Sequence, residues 1–306
     1  MTKLKVGLHS AILPDHSYEQ VLDICSKIGY QSLEVCAWPQ GKSERRYAGV
    51  SHVDVDNTDP VYINHILKEA KNKKIDLAVL GYYPNPLDPD KEKSNSYIKH
   101  IKKVIYFSHL LGIDKVSTFI GKDKDKSIEE NLETFSKVWP EIIDYAASLK
   151  VYVGIENCPM YFTKDEWPGG LNLASSPAIW KKMFDIIPSK YFGLSYDPSH
   201  LSFQGMDYIK PLYEFKDRLI HIHLKDTLVN HEKLDMYGIF SYPLQYMDPK
   251  IPGLGDIDWN KFIQTIKDIK YKNNIVIEIE DKSFEGSFDD VLKGLELSLN
   301  HVKPFL

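Results

Sequence analysis

The chain has 306 residues, 43% of them hydrophobic and 26% charged, with a formal net charge of −5. That size suits one large α/β barrel or two ordinary domains, and the mild acidity argues against a polyanionic partner such as nucleic acid. No run approaches membrane-spanning length, no apolar leader follows Met1, and Cys25, Cys36 and Cys158 lack metal-finger spacing, so a cytoplasmic protein with no membrane partner is expected.

Short apolar, strand-like runs alternate with longer amphipathic ones along the whole chain. The first strand is read near Lys5–His9. Ser17-Tyr18-Glu19-Gln20 then matches a capping box, and Gly29 sits where that helix should stop. A strand at Ser32–Cys36 leads into a long loop, Ala37–Thr58, after which Asp59-Pro60 opens a helix with proline at its first position. Strands follow at Asp76–Gly81 and Lys115–Ile120, the helix between them ending near Gly112. Ser127-Ile128-Glu129-Glu130 starts a helix that Pro140 is expected to bend or split. The run Tyr152–Glu156, the long loop Asn157–Ala174, a helix start at Ser176-Pro177 and the run Phe192–Asp197 come next. Leu219–Leu224, the long loop Lys225–Ile257 and Ile275–Ile279 complete eight strands.

Loops entering the strands are short and several leaving them are long, the asymmetry of a barrel that varies its catalytic face. The expected architecture is therefore α/β, a (β/α)8 TIM barrel, as a single domain over residues 1–306. A doubly wound open sheet competes, but it gives no reason for ligand-type residues to end four successive strands.

Those residues are Glu156, Asp197, His223 and Glu278. Three carboxylates and one imidazole favour one divalent ion, Mn²⁺, Mg²⁺, Co²⁺ or Zn²⁺, over a soft thiol-bound metal. Taken singly, each is as readily an ordinary polar strand end; together on adjacent strands they read as one site. Glu280 is the rival to Glu278, one strand period away on the same side. Other strand-end and loop residues join the candidate site. His200, Lys225, Asp226, Trp38, His52 and His9 are expected to meet substrate or orient a neighbour, with Glu34 and Tyr82 as further pocket candidates. His221 is read as a hydrogen-bonded core histidine. Trp167-Pro168-Gly169-Gly170 reads as a lid-like turn, and Tyr237, Tyr242, Tyr246 and Met247 as a pocket wall or subunit contact. Gly253 and Gly255 are weak candidates for phosphate contact.

The segments Arg45–Val55, Ile155–Met160, Tyr196–Leu201, His221–Asp226, Pro252–Trp259 and Ile277–Asp281 together resemble the sugar phosphate isomerase/epimerase family of xylose isomerase-like barrels. The resemblance runs from the first strand to the last and is specific to the superfamily rather than to one reaction. It implies a metal, Mn²⁺ first, held by Glu156, Asp197, His223 and Glu278, a small sugar or keto-sugar substrate, and a homo-oligomer. Glu156 and Glu278 would act as catalytic acid and base, removing and returning a proton next to a carbonyl through a metal-stabilised enediolate. Ketose epimerases of this kind carry an arginine beyond the metal-binding histidine, whereas Lys225–Asn230 contains none. Three other readings follow from the same relatives: a dehydratase like the inosose dehydratases, the apurinic endonuclease branch, and a barrel that binds sugar without turnover. The carboxylate-rich ligand set and the absence of a basic surface argue against the endonuclease.

Overall fold

Eight apolar runs form parallel strands that close into a cylinder. They appear in a computed structural model that describes residues 4–39, 48–161, 170–241 and 244–306. In chain order the elements are β1 (Val6–His9), α1 (Tyr18–Ile28), β2 (Ser32–Cys36), α2 (Pro60–Lys73), β3 (Asp76–Gly81), α3 (Lys91–Leu110), β4 (Lys115–Thr118), α4 (Ile128–Ser148) and β5 (Tyr152–Glu156). They continue with α5 (Pro177–Ile186), β6 (Phe192–Tyr196), α6 (Ser199–Ser202), α7 (Lys210–Glu214), β7 (Leu219–Leu224), β8 (Asp226–Val229) and α8 (His231–Tyr237). The chain ends with β9 (Met247–Lys250), α9 (Trp259–Asp268), β10 (Ile275–Ile277) and α10 (Phe288–Val302). The barrel order is β1-β10-β7-β6-β5-β4-β3-β2, closed by β1 on β2. The predicted (β/α)8 architecture is correct, with strand ends within two residues of those read from the sequence.

Local signals account for most helix ends. Ser17 and Ser127 each form the complete capping box, and Asp59 accepts a hydrogen bond from the Val61 amide. Gly29 closes α1 at φ 103°, a left-handed conformation that a side chain would oppose. Ser176 departs from expectation, because its side chain makes no capping bond. The first turn of α5 is held instead by the main chain, Trp180 N donating to Ser176 O over 3.0 Å, and by the Trp180 indole on Ala174 O at 2.7 Å.

Pro140 does not split α4, which runs on to Ser148. An interior proline costs about 3 kcal/mol. Trp139, Ile142 and Ile143 are all fully buried around it, and each such side chain returns roughly 1.5–3 kcal/mol on burial. The Trp139 indole also donates to Ile120 O at 3.1 Å, fastening this turn to the barrel.

The loop Lys225–Ile257 holds structure the sequence reading missed. β8 and β9 pair antiparallel from Asp226↔Lys250 to Val229↔Met247, with α8 between them. This ribbon follows β7 after one residue, and its second strand, Met247–Lys250, lines the cavity at the strand tips. Trp167–Gly169 of the expected lid, Tyr242, and Arg45–Tyr47 lie outside the described residues. Among the described residues, no helix is long and apolar enough to cross a membrane.

Candidate metal centre

Side chains alternate across a strand, so the residues facing the barrel axis come from every second position. Near the strand tips this alternation delivers Glu156 from β5, Asp197 just past β6, His223 from β7 and Glu278 just past β10. Their ligand atoms all lie within 4.8 Å of one another. The Glu278 amide still continues the ladder, donating to Leu224 O at 3.3 Å. Asp197 and His223 are fully buried and Glu156 is nearly so. The structure therefore brings all four expected ligands to one point. It groups Glu278 with them rather than Glu280, whose carboxylate stands nearer the rim, 3.4 Å from Lys225 Nζ.

Three observations test whether this set fits a cation. His223 Nδ1 is buried without a hydrogen-bond partner, although it lies 3.5 Å from Glu278 Oε2 and 3.7 Å from Glu156 Oε1. Asp197 Oδ2 is also buried with no well-directed hydrogen bond, its charge met by Lys225 Nζ at 3.1 Å and His200 Nε2 at 3.3 Å. A buried imidazole nitrogen without a partner, as at His223 Nδ1, costs free energy unless something satisfies it. The composition points the same way: four carboxylates, Glu156, Asp197, Glu278 and Glu280, gather around one lysine, Lys225, at the floor of the barrel mouth. An oxygen-rich set with one imidazole nitrogen suits a divalent ion of the Mn²⁺, Mg²⁺, Co²⁺ or Zn²⁺ type.

Lys225 is the second centre of the site. Its Nζ lies 3.0 Å from Glu278 Oε2, 3.1 Å from Asp197 Oδ2 and 3.9 Å from Glu156 Oε1, and the side chain is almost completely buried. Burial opposes its charge, but Asp197, Glu278, Glu280 and Glu156 overcome that and hold its pKa well above the usual value. Burial also pushes up the Glu156 carboxyl. There His200, His223 and Lys225 prevail, and Glu156 is held well below the ordinary range. At Glu278 burial prevails, aided by Glu156 and Glu280 against Lys225 and His223, and its pKa is raised. His223 has the opposite balance: burial lowers its pKa, yet Glu34, Glu156 and Glu278 raise it well above 6.5. The pocket favours positive charge at this point, whichever cation carries it.

The remaining expected residues divide. His9 and Trp38 line a cavity of about 670 Å³ above the four ligands, as do Glu156, Lys225 and Glu278. His200 does not line it; its Nε2 stands 3.1 Å from Glu156 Oε1 and 3.3 Å from Asp197 Oδ2, bracing both. Asp226 points away from the cavity. Its carboxylate accepts from the Gly253, Ile257 and Thr227 amides at 3.0, 3.0 and 2.9 Å and from the Trp259 indole at 2.8 Å. Being one residue from Lys225, it has the opposite strand parity, so it fastens the β8–β9 ribbon instead of meeting substrate. The Gly253 amide is thereby committed to Asp226 rather than to a phosphate, and a Cβ at Gly255 would come within 2.2 Å of the same carboxylate.

His52 also lies off the cavity, its Nε2 3.0 Å from Leu13 O. Tyr82 packs against Trp38 and His100 outside the barrel wall. The residue that enters the cavity is Tyr83, with Phe119 5.1 Å from its ring and Met160 farther along the wall. The signal for Tyr83 was available: Gly81 faces the interior beside Glu34, and Tyr83 is one strand period on. Met247 joins the wall, Tyr246 is buried with its hydroxyl on Phe203 O at 2.8 Å, and Tyr237 is exposed.

A closed parallel barrel with a carboxylate-rich cluster at its strand tips carries that cluster where barrels of this class keep their active sites. The chain belongs to the xylose isomerase-like TIM barrel family, whose model matches residues 22–303. It is similar to an inosose dehydratase of Bacillus thuringiensis, 24% identical over 223 residues that cover 59% of this chain and 72% of the relative. The fold is shared with the 3-keto-D-glucoside 4-epimerase YcjR of E. coli, with a TM-score of 0.72 and 13% identity over 99% of this chain and 100% of that one. It is shared too with a zinc-bound IolI protein, at TM-score 0.71 and 16% identity over 99% of both chains.

Proposed function

We propose that the protein is a divalent-metal-dependent isomerase or epimerase of a sugar or keto-sugar, working by proton transfer next to a carbonyl. The convergence of Glu156, Asp197, His223 and Glu278 beneath an open cavity carries this reading. Family membership and the likeness to an epimerase and to a zinc-bound barrel support it. A divalent ion held by those four side chains supplies Lewis acidity toward the oxygens beside the reacting carbon.

The chain's own groups do the rest. Glu156 and Glu278 approach the same point from β5 and β10, so one removes the proton and the other returns it. His200 braces Glu156 and Asp197 from behind. The aromatic walls of Trp38, Tyr83 and Phe119 offer flat apolar faces to a sugar ring, while His9 and Lys225 present donors to its hydroxyls.

One observation favours a second reading, loss of water after the same proton abstraction. The Lys225 ammonium lies beside Glu278 and lines the cavity, where it can hydrogen-bond a departing hydroxyl and offset its charge. The inosose dehydratase relative agrees with that alternative. Incubating the metal-loaded protein with a keto-sugar and keto-polyol panel in D₂O separates the two. Deuterium uptake with composition retained supports the epimerase, and loss of water supports the dehydratase. No uptake and no loss across a panel that binds would leave a sugar-binding barrel.

A further inference from the structure

We infer that Glu34 is the positioning residue of the metal centre: by accepting from His223 Nε2 it turns His223 Nδ1 toward the ion. The inference rests on the four-ligand reading above and adds a fifth residue that touches neither ion nor substrate.

Glu34 comes from β2 and is fully buried in the barrel interior. Its Oε2 lies 2.8 Å from His223 Nε2 and 2.9 Å from His221 Nε2. Its Oε1 accepts the Tyr83 hydroxyl and stands 3.3 Å from His9 Nε2. An ionised carboxylate accepts hydrogen bonds and donates none. The shared hydrogen therefore belongs to His223 Nε2, and a neutral imidazole carrying hydrogen there has its lone pair on Nδ1. Nδ1 is the atom that faces Glu156 and Glu278 and has no hydrogen-bond partner. Carboxylates placed behind a ligating histidine fix ring and tautomer in this way.

The barrel makes room for the arrangement at Gly81, where a Cβ would come within 2.6 Å of Glu34 Oε1. Glu34, His221 and His223 also form a compact acid–imidazole cluster. Both Glu34 oxygens are engaged by side-chain partners, so the cluster is read as hydrogen-bonded support and not as a second ion site.

Calorimetric titration with Zn²⁺ and ¹⁵N-histidine spectra of the zinc form test this on the whole chain. Wild type is expected to bind one ion through His223 Nδ1. Glu34→Gln and Gly81→Ala should each weaken binding about 10–100-fold, shift the His223 Nε2–H resonance and leave the stoichiometry at one. Glu34→Asp, which keeps an acceptor, should recover part of the loss and covers the case in which Glu34→Gln fails to fold. Unchanged affinity and an unchanged His223 resonance in folded Glu34→Gln or Glu34→Asp overturn the inference. So do two ions in wild type falling to one in the variants, which would make Glu34 a ligand. A wild type that binds no ion removes the metal centre itself, and this role with it.

Discussion

Two compact acid–imidazole clusters share one histidine in this barrel, and they differ in what they leave unfinished. Around Glu34 the carboxylate is fully engaged, with His221 and His223 on one oxygen and Tyr83 with His9 on the other. Around Glu156, Asp197 and Glu278 carboxylates outnumber the one lysine, buried atoms lack hydrogen bonds, and a cavity opens above. Proximity of ligand-type side chains is therefore a poor guide to an ion site. Unmet bonding capacity and access separate the support from the site.

The comparison can be broken most directly at its two histidines. His223→Ala should abolish detectable divalent-ion binding in calorimetry, whereas His221→Phe should keep it within about 10–100-fold of wild type. Equal losses would mean that the clusters act as one. Next in size, Glu156→Gln should slow solvent deuterium exchange into substrate by about 10²–10⁴-fold while ion binding persists. Undiminished exchange would remove Glu156 from the chemistry.

Lys225→Met sharpens the charge argument. Removing one member of a buried ion cluster costs roughly 3–5 kcal/mol, so the metal-free variant should unfold at markedly lower denaturant. Added divalent ion should restore most of that loss. Stripping the ion from wild type with chelator should lower stability by about 2.7 kcal/mol relative to protein held at 100 times Kd, measured as a drop in Tm.

The smallest effect is chemical. Burial raises the Cys36 thiol, but His9 and His52 prevail and bring it down to about 6, whereas burial pushes Cys25 up to about 12. Thiolate is the reactive form, and its fraction grows as pH rises through the pKa. Labelling of Cys36 with iodoacetamide should therefore climb through pH 6 and level off, with Cys25 unmodified at pH 8. Peptide mass analysis reads both.

Much of the site was legible because strand periodicity and strand ends are local. Glu156, Asp197, His223 and Glu278 could each be placed at a tip without knowing their neighbours. The role of Glu34 was hidden because it is set by His221 and His223, 187 and 189 residues away. Tyr82 was expected in the pocket where its neighbour Tyr83 enters it, and Asp226 turns away beside Lys225, because one position reverses the face of a strand. The β8–β9 ribbon escaped notice because only Lys225 separates β7 from β8, so no turn signal marks the change of sheet. Of the two outcomes expected at Pro140, a bend or a split, the split does not occur, because a local rule about helices yields to the packing of Trp139 on the barrel.

The anchoring of that ribbon has an evolutionary consequence. One carboxylate, Asp226, fastens the base of the hairpin, while Lys250 opposite it and Met247 at the far end of the pairing shape the wall above the ligands. Recognition and reactivity are thus mechanically separable modules. Lineages can exchange the hairpin's outer sequence to explore new molecules while the carboxylate–imidazole cluster below stays untouched.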